Sequence, residues 1–318
     1  MSVRGNPYLR GSYIALEGEL GLENIESVTT QLEPIWSIPL PMYPIHIDLQ
    51  KVTFVYPSGL TILTAAILDL RRRGFEVSIE RPEAANVDSY LTRINFYDFA
   101  KVEADYPWPR RDPSGRFLEL VQLRDETEVG RTVEDLCKIL HEQKVTGIDR
   151  VQDAVRYALL EIVENVFHHA RSPISAIVCA QSYPSLQQVE LAVVDTGRGI
   201  AASLRDNPQL FGKFRTDVEA IQWAVKLKIT GRPDQNTGQG LFFTLEFIKQ
   251  NRGDGCIHSY GGSLWIQRGQ PTPKSAPLWR GTWVALRFRT DNPVNTTEIF
   301  DRYGPPDKDY ELIEEIPF

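Results

Sequence analysis

Three short stretches carry side chains whose types and spacing could do chemistry. The first runs from Val151 to Ala170. Val151, Ala154, Val155, Ala158, Leu159, Ile162, Val163, Val166, Phe167 and Ala170 recur at helical spacing, which predicts one helix with a continuous buried stripe. Glu161, Glu164, Asn165, His168 and His169 fall on its other face, with Glu161, Asn165 and His169 in a single row four residues apart. A carboxylate one turn from an amide suits two tasks. The carboxylate can take a proton from an attacking water, and the amide oxygen is a hard ligand for Mg²⁺. A solvated helix face would show the same residue types.

The second stretch is an apolar strand, Val189 to Val194, that ends in Asp195-Thr196-Gly197-Arg198-Gly199-Ile200. A carboxylate at a strand end can accept from an exocyclic amine such as that of adenine. The glycines let the backbone approach a flat ring where a Cβ would clash. An ordinary Asp-Thr-Gly turn reads the same way. The third stretch, Thr237-Gly238-Gln239-Gly240-Leu241, opens an apolar helix reaching about Asn251. Backbone N–H groups and the helix dipole make such a turn a site for phosphate. It is not a P-loop, because no Gly-Lys-Ser/Thr follows, and it lacks the third glycine of a dinucleotide fingerprint.

These elements need a scaffold. Strand and helix patterns alternate through the first 80 residues: a strand at Tyr13–Glu17, a helix over Gly21–Trp36, a strand at Ile45–Leu49, a helix opened by Pro57-Ser58-Gly59 and stopped by Gly74, and a strand at Phe75–Ile79. That order implies an α/β domain. Arg71, Arg72 and Arg73 close the second helix, where cations complement the dipole. The Pro-rich stretch Tyr106–Gly115 is read as a linker. The expected organisation is therefore a first domain over 1–105, a linker over 106–116, a second domain over 117–290 opened by a strand at Phe117–Leu123 and a helix near Val129–His141, and a loosely packed acidic tail over 291–318. A net charge of −7 argues against nucleic-acid binding by bulk positive charge. The scattered Cys137, Cys179 and Cys256 predict neither a disulfide framework nor a zinc site. No apolar run is long enough to span a bilayer and the first residues lack a signal-peptide core, so a cytoplasmic protein without membrane contact is expected.

A helix with E-x-x-x-N, then a strand ending D-x-G-x-G-I, then G-x-G-L opening a helix resembles the GHKL family of gyrases, MutL proteins, histidine kinases and anti-sigma serine kinases. The resemblance covers roughly Val129 to Arg289, with Gly281-Thr282 as the family's late strand. It implies an α+β two-layer sandwich with helices on one face of a mixed sheet. It further implies that ATP and Mg²⁺ are bound. Asn165 would ligate the metal and Glu161 would activate water. Asp195 would bind adenine, flanked by Gly197, Gly199 and Ile200. Thr237, Gly238, Gly240 and Leu241 would hold the phosphates, and Thr282 would support the base through water. The span from Ala201 to Asn236 would be the lid over ATP, with Lys226, Lys228 and Arg232 as candidates to approach the γ-phosphate. Val166 departs from the small residue usual after the asparagine, which would tighten the pocket.

Residues 12–80 resemble STAS domains through Leu16-Glu-Gly-Glu-Leu20 and the stretch Ile47 to Leu60. Where antagonists of that family carry a phosphorylated serine, this chain reads Tyr56-Pro57. Ser58 matches the second serine of their motif and is expected to cap the helix. The pairing implies a regulator with a protein partner, or a scaffold for homodimerisation. Three functions compete: a Mg-ATP-dependent switch, a serine kinase of the anti-sigma type, and a module that binds ATP without turnover.

Overall fold

A computed structural model describes residues 13–38, 43–102, 117–142, 146–233 and 237–304. The expected linker and the last residues of the expected tail lie outside them, as do three residues at the end of the expected lid.

The N-terminal part forms a parallel three-stranded sheet of β1 (Tyr13–Leu20), β2 (Ile45–Val55) and β3 (Val77–Glu80), in the order β1-β2-β3. Parallel neighbours need crossovers. α1 (Ile25–Leu32) lies between β1 and β2, and α2 (Pro57–Arg72) between β2 and β3. Short 3₁₀ turns at Leu22–Asn24 and Glu33–Ser37 flank α1, so the expected helix over Gly21–Trp36 is split by Pro34 and its neighbours. α3 (Ala85–Arg93) and α4 (Phe96–Ala100) follow β3 and were not foreseen. The arginines at the end of α2 act as staples. Arg71 donates to the carbonyls of Val77 and Ala100, and Arg73 to those of Ile35 and Ile38.

The second sheet has the order β4-β5-β6-β8-β7, from β4 (Phe117–Leu123), β5 (Ala176–Tyr183), β6 (Gln188–Val194), β7 (Asp254–Gln267) and β8 (Gln270–Arg289). Every pairing is antiparallel rather than mixed, and short turns join β5 to β6 and β7 to β8 as hairpins. α5 (Thr127–Glu142), α6 (Gln152–Asn165) and α9 (Gly240–Asn251) cover one face, over a core that includes Val178, Val193, Val284, Ile162, Phe243 and Phe247. α7 (Gly199–Leu204) and α8 (Asp217–Ala224) lie in and next to the stretch expected as a lid, with a small core of Leu204, Leu210, Phe214 and Ala220.

The other face of this sheet is covered by the N-terminal part. α2 packs on β5 and β6, and α1 on β8. One core therefore joins Leu60, Ile67 and Trp36 to Ile177, Val194, Trp279 and Trp283. Three cross-strand rows meet the N-terminal part. Cys179, Ala192, Ala285 and Cys256 are in register across the sheet and make a row of small side chains. Beside it run the bulkier Ile177, Val194, Trp283 and His258, and on its other side the polar Gln181, Glu190, Arg287 and Asp254. Coverage of both faces explains why β5 and β6 are almost uniformly buried.

The described part of the expected tail, 291–304, is packed rather than loose. α10 (Thr296–Tyr303) is capped by the Asn295 side chain, buries Ile299, and sets Phe300 against Tyr157, Phe243 and Phe247.

Candidate functional site

α6 ends at Asn165 and continues as a single π-helical turn, Val166–Ala170, stopped by Arg171 in the left-handed region. π turns widen a helix and are frequent at functional sites. The face that includes Tyr157, Glu161, Asn165 and His169 leads to a cavity of roughly 1020 Å³ of empty space, part of it open to solvent. Its walls bring together Glu161, Asn165, Asp195, Gly199, Ile200, Thr237, Gly238, Gly240, Leu241 and Thr282. Ten of the eleven residues that the resemblance assigns to base, metal, adenine or phosphate, apart from the lid cations, thus share one cavity. Gly197 is the exception among these eleven. Its N–H donates to Asp195 Oδ1 at 2.6 Å, and its Cα packs against the carbonyl of Ala170, where a Cβ would lie 2.1 Å from the oxygen. Val166 lines the cavity as a buried residue.

Asp195 is held on several sides. Its N–H donates to the Thr282 carbonyl at 2.9 Å, and its carbonyl accepts from the Trp279 indole at 3.0 Å. Gly281, at φ +115°, passes beside that carbonyl, leaving no room for a side chain. Burial pushes the Asp195 carboxyl up to about 7, against the opposing pull of the Gly197 and Thr282 backbone. Behind it, the Ser259 hydroxyl accepts from the N–H of Ile200 and from the Thr282 hydroxyl, and donates to the Gly281 carbonyl. Ser259 is a residue the sequence did not mark; only its cross-strand pairing with Thr282 brings it here.

The glycine-rich turn is equally tight. Gly238 takes φ +69° and its Cα packs on the backbone of Ile229, whose N–H donates to the Gly238 carbonyl. α9 starts at Gly240, and its N-cap residue, Gln239, gives no side-chain cap. The Glu161 carboxylate packs directly against Gly240. The glycines form a cradle that a Cβ would fill, and the α9 dipole favours an anion there. Tyr157, one turn before Glu161, has its hydroxyl pushed up chiefly by burial and also by the Glu161 charge.

His168 and His169, placed by sequence on the same polar face as Glu161 and Asn165, also line the cavity. His169 is pushed down to about 4, first by burial and then by the neighbouring His168, Arg232 and Arg198. Arg198 donates to the His169 carbonyl and pairs with Asp206, tying the π turn to the segment after α7. His168 contacts Glu126 at 2.9 Å. The lid cations do not line the cavity: Lys226 lies over the Trp223 ring, while Lys228 and Arg232 are outside its walls. Among the described residues no group of three His, Cys, Asp or Glu could hold a metal ion, and no helix is long and apolar enough to cross a membrane.

An antiparallel sheet with helices on one face, and a glycine-lined cavity beside that layer, fits an α/β sandwich of the nucleotide-binding kind. Residues 150–292 match the model of the family described as histidine kinase-, DNA gyrase B- and HSP90-like ATPase. No curated protein and no solved structure matches the chain.

Proposed function

We propose that the chain binds Mg-ATP in this cavity and uses nucleotide occupancy as a switch on a protein partner. The observation that carries this reading is the seating of the Glu161 carboxylate against Gly240, at the start of a helix whose first turn is offered to an anion. Asp195, buried in the same cavity, would accept from the adenine amine, with Gly199 and Ile200 beside the ring. Thr237, Gly238 and the first turn of α9 would hold the phosphates. Asn165 would give its amide oxygen to magnesium; since no group of three His, Cys, Asp or Glu among the described residues could hold the ion, the remaining oxygens would come from phosphates and water. Bound magnesium would neutralise charge on the phosphates. Glu161 would orient and deprotonate the attacking water.

The N-terminal part, which resembles STAS domains, would be the regulatory half. Transfer of phosphate to its own Ser58 finds little support. Ser58 is 1 % exposed and is engaged by Glu190 on the sheet face opposite the cavity. A kinase reading would therefore need a serine on a partner. Incubation with ATP labelled at the γ-phosphate separates the functions. Released labelled phosphate supports hydrolysis, and acid-stable label on an added partner supports a serine kinase. Tight binding with neither outcome would leave only a binding module. Failure to bind ATP would overturn the assignment of the cavity.

A further inference from the structure

The N-terminal part reaches the adenine-binding end of the cavity through two tryptophans. Trp279, fully buried, donates its indole N–H to the backbone carbonyl of Asp195. Trp36, on the 3₁₀ turn Glu33–Ser37, meets the Trp279 ring edge-to-face, with centroids 5.0 Å apart at 86°. Each partner is pinned in turn. The N–H of Leu278 donates to Glu33 Oε1 at 3.1 Å, and Arg73 grips the carbonyls of Ile35 and Ile38 on either side of Trp36. Gly281, pressed on the same Asp195 carbonyl, leaves that oxygen little freedom to find another donor.

We infer that Trp279 is a positioning residue for base recognition, and that Trp36 makes the N-terminal part a structural component of the nucleotide site. The inference rests on the reading of Asp195 as the adenine acceptor. A carboxylate discriminates adenine from guanine only if its oxygen lies where the amine arrives, and a misplaced acceptor loses that selectivity first. Asp195 sits at the end of β6, where the strand ladder gives out, so its placement depends on the tethers to its backbone. Trp279 is the one that originates in the core shared with the N-terminal part. A partner that displaced the Glu33–Ser37 turn would thereby weaken adenine binding without touching the cavity.

The test uses the full chain and equilibrium binding of ATP and of GTP. Trp279→Phe removes the N–H but keeps a ring for Trp36 to meet. It is expected to weaken ATP binding about three- to tenfold, the worth of one hydrogen bond, and to leave the weaker GTP binding unchanged. Trp36→Leu keeps apolar volume but withdraws the aromatic edge, and should shift the ATP-to-GTP ratio in the same direction. Trp283→Phe is the control: Trp283 is buried in the same core, and its indole makes no hydrogen bond among the described residues. It should lower thermal stability without changing the ratio. If Trp279→Phe does not fold, Trp36→Leu carries the same test. A ratio in the tryptophan variants equal to that of Trp283→Phe would overturn the inference. Asp195→Asn tells the two levels apart: a ratio unchanged in that variant refutes the adenine assignment itself, whereas loss there with none in the tryptophan variants refutes only the coupling.

Discussion

Gly240 lies so close to Glu161 that a Cβ added to it would sit 1.8 Å from carboxylate Oε2 and 3.0 Å from the glutamate's own Cβ. Rotating the far end of the glutamate cannot restore the packing, because its stem is also in contact. Gly240→Ala is therefore expected to keep the fold, since alanine favours the first turn of α9, but to turn the carboxylate away from the phosphate cradle. Turnover of ATP should fall about 10²-fold or more, the scale of a lost general base. A steady-state phosphate-release assay checks this, and wild-type turnover in the alanine variant would contradict the contact.

Glu161→Gln separates binding from chemistry. The amide preserves shape but cannot take a proton, so ATP affinity should stay within about threefold while turnover drops about 10²- to 10⁴-fold. A variant that hydrolyses ATP at the original rate would remove Glu161 from the role of base.

These two residues also mark what was legible in the sequence. The E-x-x-x-N row and the glycine turns are local devices: helix periodicity aligns Glu161 with Asn165, and a positive φ at Gly238 announces itself by residue type. The interface between the two halves was not legible. Its row of Cys179, Ala192, Ala285 and Cys256 is gathered from four strands and looks featureless in each. Trp279 lies in a proline-bearing stretch of β8 that does not alternate like a strand. α10 went unseen because eight residues in a polar stretch hold too few apolar positions for a periodic signal, and its place is decided by Phe243 and Phe247 across the core. Ser58 was expected to cap α2, but Tyr56 holds the cap position and Ser58 turns its hydroxyl to Glu190.

The raised pKa of Asp195 gives a pH signature. Its folded value near 7 lies above the ordinary carboxylate value of 3.8, so the folded chain holds this proton more tightly than the unfolded chain does. The stabilisation from that proton is fully present below pH 3.8 and is lost as pH rises through about 7. Donation from an adenine amine favours the ionised form, so ATP binding below pH 7 should release a proton and weaken as pH falls. Calorimetry in two buffers of different ionisation enthalpy measures the release. Asp195→Asn should abolish it, and a pH-independent proton count in the wild type would refute the assignment.

Glu190 and Arg287 face each other across β6 and β8 and form a buried ion pair at 2.7 Å. Arg287 also pairs with Glu23, and Glu190 Oε1 accepts from both the N–H and the hydroxyl of Ser58 at the start of α2. The carboxylate thus completes the N-terminus of a helix that lies 132 residues away in sequence. Removing one partner of such a pair strands the other without solvent. Arg287→Ala is expected to cost about 3–5 kcal/mol of stability, while Ser58→Ala costs only about 1 kcal/mol, since Glu190 keeps the backbone donor and Arg287. Ser58→Asp should be far worse than Ser58→Ala, because it sets a second carboxylate against Glu190, which is 0 % exposed. The same reasoning predicts that any phosphate placed on Ser58 is incompatible with the docked arrangement. Denaturant titrations of the three variants check the order. An aspartate variant as stable as the alanine variant would mean that Ser58 leaves Glu190 readily, and that the two halves are held by the apolar rows alone.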